Sequence, residues 1–281
     1  MIDYFKPVAT WSTDQVRAFI KEQPDGSYNL VDVRQPGEYE QGHLPGAQLI
    51  PVKTLDERVA ELDPGKLTIT YCAAGVRSRA AASVLNNAGF KEVYSMSGGI
   101  NAWDGLVAEG ELEMGTAWFA TATKAEEYLA LAWLLEDGAR QFYAELAMHF
   151  HEIPAGDFFK CLVAAEDAHK ETLHNLYHGL STSSTGDDFP GSALPGLVTE
   201  TILEGGLPLA EALRWLPGKT AQQALELAIS LEVNACDRYQ IMSRDAVDQE
   251  GRQAFEYLAR EEKVHLGLLS DELDRWLEHH R

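Results

Sequence analysis

A pattern of two glutamates, a tyrosine and a histidine occurs twice in the chain, and the second copy lies 96 residues after the first with no insertion or deletion. In each copy the tyrosine follows the first glutamate by seven residues, and the histidine follows the second glutamate by three. Residues at these spacings share one face of an α-helix. The repeat therefore predicts two pairs of helices that direct acidic and imidazole side chains into a shared interior. The copies are Glu136, Tyr143, Glu166 and His169, and Glu232, Tyr239, Glu262 and His265.

The residues of both copies lie within long segments that have apolar residues at helical spacing. A connection rich in Gly, Ser and Pro, 179–218, separates the second segment from the third and contains one short helical stretch, 208–215. Two helical hairpins joined by one long crossover form the ferritin-like variant of the four-helix bundle. We predict this all-α fold with helices at 124–149, 155–178, 220–247 and 251–279.

Four carboxylates inside an apolar bundle require compensating positive charge, because an unpaired buried charge is strongly destabilising. Two divalent cations balance four carboxylates, and a diferric pair with an oxo bridge balances them equally. Mixed oxygen and nitrogen ligation suits iron or manganese better than a structural zinc ion, for which thiolates are typical. The sequence therefore predicts a dinuclear site of two iron ions, or of iron and manganese. Tyr143 and Tyr239 are expected to hydrogen-bond the ligand carboxylates.

By this pattern, residues 120–281 resemble the rubrerythrin and erythrin branch of the ferritin-like superfamily. The resemblance implies a di-iron centre that reduces peroxide or activates dioxygen with electrons from an external donor, and it is consistent with a homodimer. Rubrerythrins also carry a further glutamate ligand on the third helix, where this chain has Asn234 and Ala235. They carry a rubredoxin-type iron site as well, and because the sequence has no CxxC motif we expect none here. The implied ligands are Glu136, Glu166, His169, Glu232, Glu262 and His265.

The first hundred residues follow a different pattern, in which short β-rich runs alternate with helical segments. Such alternation is typical of a mostly parallel sheet covered by helices. The predicted strands are 29–33, 47–50, 67–72 and 92–95, and the predicted helices are 13–22, 55–62 and 78–88. We therefore predict two domains, an α/β domain at 1–112 and the bundle at 123–281, joined by a linker at 113–122.

A cysteine at the end of a predicted strand is the main chemical feature of this α/β domain. Cys72 opens the loop CAAGVR, which leads into the helix predicted from Ser78. Backbone N–H groups and the helix dipole, together with Arg77, favour a thiolate at such a position. Gly75 suits the tight turn because it has no Cβ to obstruct the loop amides. The same loop would stabilise the negatively charged terminal sulfur of a persulfide.

The first domain resembles the rhodanese family, through Asp32-Val33-Arg34, Glu38-Tyr39, the segment 42–47, the loop 72–77 and Gly98-Gly99. The resemblance implies that Cys72 is the nucleophile that forms a persulfide, with thiosulfate, polysulfide or persulfide as the sulfur donor. It also implies that Arg77 helps to bind an anionic donor and that Asp32 and Arg34 brace the loop. The amides of Ala73, Ala74, Gly75, Val76 and Arg77 would bind the transferred sulfur.

The length of the cysteine loop distinguishes a sulfur site at Cys72 from the active site of a cysteine phosphatase. Cysteine phosphatases place five residues between cysteine and arginine, whereas four separate Cys72 from Arg77, and Ser78 occupies the phosphatase position. The shorter loop favours sulfur over a four-oxygen phosphate.

Composition excludes several classes of partner and compartment. The chain has 44 Asp and Glu against 23 Lys and Arg, a formal net charge of −21. A surface this acidic repels phosphate backbones and anionic lipids, so we expect neither a nucleic-acid nor a membrane partner. Residues 1–11 lack the layout of a signal peptide, and the three cysteines are scattered. We therefore expect a cytoplasmic protein.

Taken together, these features predict a two-domain sulfur and redox enzyme, a sulfurtransferase joined to a di-iron oxidoreductase. An alternative is an iron-handling or stress-sensing protein in which the α/β domain carries persulfide or serves for docking. A plain sulfurtransferase with an inert helical scaffold would require the 96-residue repeat to be a coincidence.

Overall fold

The computed structural model describes residues 8–110, 124–180, 189–194, 201–203, 206–246 and 248–279. The chain divides into two compact units, Met1–Leu112 and Glu113–Arg281. The predicted linker, 113–122, and part of the predicted crossover lie outside the described residues.

The N-terminal unit is built on a five-stranded sheet in which every strand pairing is parallel, with strand order β1-β5-β4-β2-β3. The predicted fold class is confirmed. Each predicted strand is present, and a three-residue edge strand at the N-terminus was not predicted. The strands are β1 (Ala9–Trp11), β2 (Asn29–Asp32), β3 (Gln48–Leu49), β4 (Thr68–Tyr71) and β5 (Val93–Met96).

In the part of this unit that the structure describes, four α-helices connect the strands. α1 (Thr13–Glu22) has the predicted bounds and begins with a capping box at Ser12, and α2 (Pro36–Glu40) was not predicted. The helix predicted over 55–62 is an α-helix, α3 (Leu55–Arg58), that continues as the 3-10 turn Val59–Glu61. α4 (Val76–Asn87) begins two residues before its predicted start.

Helix α4 begins early because Gly75 takes the N-cap position with a left-handed backbone, φ +88°. A residue with a Cβ is strained in this conformation, so the glycine sets the point where loop becomes helix. Val76 and Arg77, predicted as loop residues, therefore lie in the first turn of α4.

Within its described residues, the C-terminal unit contains four long helices, whose bounds lie within one or two residues of those predicted, and one shorter helix. They form two antiparallel hairpins, α5 with α6 and α8 with α9, as expected for a ferritin-like bundle. Among the described residues, none of these helices is long and apolar enough to cross a membrane. The helices are α5 (Ala125–His149), α6 (Pro154–Leu180), α7 (Leu209–Trp215), α8 (Ala221–Asp245) and α9 (Gln249–His279).

The repeat residues form a polar layer between two apolar clusters of the bundle. One cluster takes a large side chain from each long helix, namely Phe142, Phe159, Leu225 and Leu269. The other cluster also contains a large side chain from each long helix, namely Leu135, Leu173, Met242 and Phe255. On every long helix the repeat glutamate or histidine lies between these two sets, so the polar layer is enclosed by apolar packing on both sides.

Candidate sulfur site and candidate metal centre

The sulfur of Cys72 lies at the carboxyl end of β4, inside a loop formed by backbone atoms. The Gly75 amide donates to Cys72 Sγ over 3.1 Å. A Cβ on Gly75 would lie 3.2 Å from the Gly98 nitrogen, so this glycine allows the loop to pack against the neighbouring turn. The loop thus turns an amide toward the sulfur as the sequence predicts.

The turn containing Gly98 and Gly99 holds the outer side of the same loop. The Ile100 amide donates to the Cys72 carbonyl over 2.8 Å, and the Asn101 amide to the Ala73 carbonyl over 3.0 Å. A Cβ on Gly99 would lie 2.2 Å from the Cys72 carbonyl oxygen. Because these carbonyls are bound on the outside, the loop amides remain available to the sulfur. The glycine pair was part of the family resemblance, but its role was not predicted.

Two buried hydroxyls lie on the helix side of the sulfur. Ser78 Oγ is 3.7 Å from Cys72 Sγ and 2.8 Å from Ser95 Oγ. Burial raises the pKa of the Cys72 thiol, but hydrogen bonds from the Ser78 amide and hydroxyl, and from the Ala74 and Gly75 amides, outweigh it. The pKa therefore lies below its ordinary value. Neither serine was predicted as a site residue, and for Ser78 the available signal was its position directly after Arg77.

Arg77 is held in an ion pair at the edge of the cysteine loop. Its two terminal nitrogens each lie 2.7 Å from an oxygen of Glu38, and both side chains are about one third exposed. The hydrogen bonds from Arg77 lower the pKa of Glu38 to about 2, against the opposing effect of burial. Val76, the neighbouring residue, is 77% exposed and gives the site an apolar rim.

Asp32 and Arg34 form a buried ion pair after β2. Arg34 Nη2 lies 2.6 Å from Asp32 Oδ2 and donates to the Gly42 carbonyl over 2.7 Å. The guanidinium carbon is 5.7 Å from the centre of the Tyr71 ring, and Tyr71 directly precedes Cys72. The pair therefore packs beside the strand that ends at the sulfur site.

In the bundle, the structure brings the six repeat glutamates and histidines into one buried layer. The four glutamates are fully buried, and His169 and His265 are 2% and 3% exposed. Their ligand atoms form three overlapping groups, each compact enough to hold a metal ion. The groups are Glu166, His169 and His265; Glu136, His169 and Glu262; and Glu232, Glu262 and His265.

Both imidazoles present Nδ1 to the carboxylates. His169 Nδ1 lies 2.9 Å from Glu136 Oε2 and 3.2 Å from Glu166 Oε2. His265 Nδ1 lies 3.4 Å from one oxygen each of Glu166 and Glu232. The rings stack with their centroids 4.9 Å apart. Nδ1 is therefore the nitrogen that each histidine would offer to a metal.

The two repeat tyrosines bind carboxylates of the opposite hairpin. Tyr239 on α8 donates to Glu136 Oε1 on α5 over 2.9 Å. Tyr143 on α5 donates to Glu232 Oε1 on α8. Each hairpin therefore holds one glutamate of the other hairpin in place through a tyrosine hydroxyl.

The charge of this layer fits two divalent cations. Burial lowers the pKa of His169, but the charge and hydrogen bond of Glu136 outweigh it and raise the pKa above its ordinary value. Even two protonated imidazoles would supply +2 against the −4 of four carboxylates. An uncompensated buried charge is strongly destabilising, whereas two divalent ions neutralise the four carboxylates.

Two residues beside His169 were not predicted. Glu261 Oε2 lies 3.8 Å from His169 Nε2, and the Tyr257 ring packs edge-on against the imidazole at 6.4 Å. Histidine ligands commonly have a carboxylate near the ring nitrogen that does not bind the metal. The 96-residue repeat could not reveal Glu261, because the equivalent position in the first copy is Ala165.

Comparison with known families matches both units. The family model described as "Rhodanese-like domain" matches residues 12–106, and the model described as "Rubrerythrin" matches residues 223–278. The second match covers most of α8 and most of α9. The first hairpin, which carries Glu136 and Glu166, lies outside this match and is related to the second hairpin by the 96-residue repeat.

Several known proteins are similar to the rhodanese-like N-terminal unit. Thiosulfate sulfurtransferase GlpE of Pseudoalteromonas translucida is 35% identical over 80 residues, which is 28% of this chain and 76% of that protein. Uncharacterized protein YqhL of Bacillus subtilis is 41% identical over 78 residues, and the chain covers 62% of its length. The crystal structure of a rhodanese-like domain protein from Staphylococcus aureus is 27% identical, covers 37% of this chain and 100% of that one, and has a TM-score of 0.34.

The fold and the matches define a two-domain sulfur and iron protein. The chain belongs to the rhodanese-like family through its N-terminal unit, and its C-terminal unit contains a rubrerythrin domain.

Proposed function

We propose that the N-terminal unit is a sulfurtransferase that carries sulfur as a persulfide on Cys72. The observation that carries this proposal is that the Cys72 sulfur lies within hydrogen-bonding distance of the Gly75 amide. The first two carbonyls of the loop accept hydrogen bonds from the neighbouring turn on the side away from the sulfur. A small sulfur donor, namely thiosulfate, polysulfide or a low-molecular-weight persulfide, would enter beside Arg77. The reducing cytoplasm suits a free thiol of this kind.

The proposed transfer has two steps. The Cys72 thiolate attacks the outer sulfur of thiosulfate, the S–S bond of the donor breaks, and sulfite leaves with the bonding electron pair. The product is a Cys72 persulfide anion, so the total charge is unchanged. An acceptor thiolate then attacks the terminal sulfur and releases the Cys72 thiolate. The amides of the loop stabilise the negative charge in each state.

The test is thiosulfate sulfurtransferase activity in Cys72→Ser. We expect activity to fall to the uncatalysed background, because a serine hydroxyl does not accept sulfane sulfur under these conditions. Cys161→Ser is the matched control, since this thiol is exposed on α6, and it should retain full activity. Retained activity in Cys72→Ser would show that another group carries the sulfur.

We propose that the bundle is a di-iron oxidoreductase that reduces peroxide or activates dioxygen. Two iron ions held by Glu136, Glu166, His169, Glu232, Glu262 and His265 would supply the two electrons that peroxide reduction requires. Fe with Mn is the other metal pair that the oxygen and nitrogen donors fit. The carboxylates balance the metal charge, the tyrosines hold two of these carboxylates in place, and the apolar clusters exclude bulk water.

The test of this activity is the rate at which peroxide reoxidises the anaerobically reduced, iron-loaded protein. We expect reoxidation much faster than that of free ferrous iron at the same concentration. The double variant Glu166→Ala/Glu262→Ala should lose both the bound iron and the fast phase. A rate equal to that of free iron in the unaltered protein would contradict the proposed peroxidase activity.

A second candidate function is iron handling or stress sensing, with the rhodanese-like unit as persulfide carrier or docking module. The sequence supports it in one respect, because no CxxC motif supplies a resident iron–sulfur electron relay. Slow, stoichiometric iron uptake without turnover would favour this function. Repeated turnover with an external electron donor would favour the oxidoreductase.

A further inference from the structure

Two histidines near the C-terminal end of α6 face each other outside the buried metal centre. His174 and His178 are one helical turn apart, and their Nε2 atoms lie 3.0 Å from each other. The imidazole planes are nearly perpendicular, with centroids 4.3 Å apart. This pair does not belong to the 96-residue repeat, because its positions in the second copy are Ser270 and Asp274.

Packing holds one member of the pair in position. The Phe189 ring lies 5.5 Å from the His174 ring and 4.4 Å from the ring of Tyr177 on the same helix. His174 is half-buried as a result, whereas His178 is exposed. The site thus combines an imidazole fixed by aromatic packing with a second imidazole that is open to solvent.

The geometry points to a metal site: we propose that His174 and His178 bind one divalent ion of the copper and nickel class. With metal–nitrogen bonds of about 2.05 Å, the observed separation of the nitrogens gives an N–metal–N angle of about 94°. This angle is close to that between neighbouring ligands in square-planar and octahedral complexes. Imidazole nitrogen in such geometry suits Cu²⁺ and Ni²⁺.

Both nitrogens can become ligands without a change in the charge of the pair. In the neutral pair, one Nε2–H donates to the other Nε2, and metal binding requires that proton to move to Nδ1 of the same ring. His178 is exposed, so water can complete the coordination of an ion bound by the two imidazoles. The pair is therefore a surface site with two nitrogen donors.

The test is Ni²⁺ binding to the full-length protein after iron loading, measured by calorimetry and by elemental analysis after gel filtration. We expect the unaltered protein to bind one more Ni²⁺ per chain than the double variant His174→Gln/His178→Gln. Each single variant should bind that ion at least tenfold more weakly. Circular dichroism should show the same helical content in every variant.

His151→Gln is the matched control, because His151 is an exposed histidine with its Nδ1 2.7 Å from the Met148 carbonyl. It should bind Ni²⁺ as the unaltered protein does. Equal stoichiometry in the unaltered protein and the double variant would overturn the proposal. Any Ni²⁺ taken up by the buried centre cancels in this difference, so the result does not depend on the proposed iron chemistry.

Discussion

The sulfur site and the metal centre are built from different parts of the polypeptide. Around Cys72 the backbone provides the binding groups, and two glycines, Gly75 and Gly99, let the loop and its neighbouring turn approach each other. In the bundle, side chains from four helices provide the groups, and the helical backbone only spaces them. The first site is therefore sensitive to an added Cβ, and the second to loss of a donor atom.

Among variants that keep Cys72 and all six metal ligands, the largest effect is expected from adding one methyl group beside the sulfur loop. In Gly99→Ala the new Cβ would lie 2.2 Å from the Cys72 carbonyl oxygen, so the loop must move. Displacement of a reacting group by about 1 Å can cost about 100-fold in rate, and we expect a loss of this order in thiosulfate sulfurtransferase activity. Gly37→Ala, where a Cβ meets nothing within 4 Å, should keep full activity. Equal activities would show that the loop does not depend on the turn.

A smaller effect is expected from removing a single hydroxyl beside the metal centre. Tyr239→Phe leaves Glu136 without the hydrogen bond that fixes its Oε1. Outer partners of metal ligands typically contribute about 10- to 100-fold in metal affinity, so we expect a loss in this range in a chelator competition assay. Tyr177→Phe, whose hydroxyl contacts Ser192, is the control. Unchanged metal affinity in Tyr239→Phe would show that the Tyr239 hydroxyl does not contribute to metal binding.

The ion pair at the rim of the sulfur site is expected to have a modest influence on donor binding. Glu38→Gln removes the negative charge that compensates Arg77, so the KM for the thiosulfate dianion should fall. Because both side chains are partly exposed, the change should be about two- to fivefold. Glu40→Gln, on the same helix, should leave the KM unchanged. A higher KM in Glu38→Gln would mean that positioning Arg77 matters more than freeing its charge.

The smallest effect is expected in the pH dependence of Cys72. Burial raises the pKa of this thiol, but hydrogen bonds from the Ser78 amide and hydroxyl and from the Ala74 and Gly75 amides together hold it below its ordinary value. Ser78→Ala should raise that pKa, so the pH midpoint of alkylation by iodoacetamide moves upward and the rate at neutral pH falls. Ser83→Ala, a buried serine on the same helix, should leave the midpoint unchanged. A midpoint that does not move in Ser78→Ala would assign the low pKa to the backbone amides of Ala74, Gly75 and Ser78 alone.

The sequence predicted most of the fold because its two periodic patterns are strong. All four long helices lie within a few residues of their predicted bounds. The edge strand Ala9–Trp11 was missed because it is three residues long and shows no alternation of buried and exposed positions. The helix Pro36–Glu40 was missed because five residues are too few for helical periodicity.

The candidate sites were predicted as sets of residues rather than as contacts. The spacing of seven places Tyr143 near Glu136 on one helix, whereas the structure pairs Tyr143 with Glu232 and Tyr239 with Glu136. Such pairing depends on how the two hairpins pack, and a single sequence does not specify it. The Arg77–Glu38 ion pair spans 39 residues and was missed for the same reason.

The most direct test of the central claim is the metal content of protein purified without chelator. The claim is that the two copies of the repeat form one dinuclear site, so elemental analysis should give about two iron atoms, or iron plus manganese, per chain. Glu166→Ala/Glu262→Ala should lose them while retaining its helical content. A chain that stays metal-free after anaerobic iron loading would contradict the claim and leave Cys72 as the chemical centre of the protein.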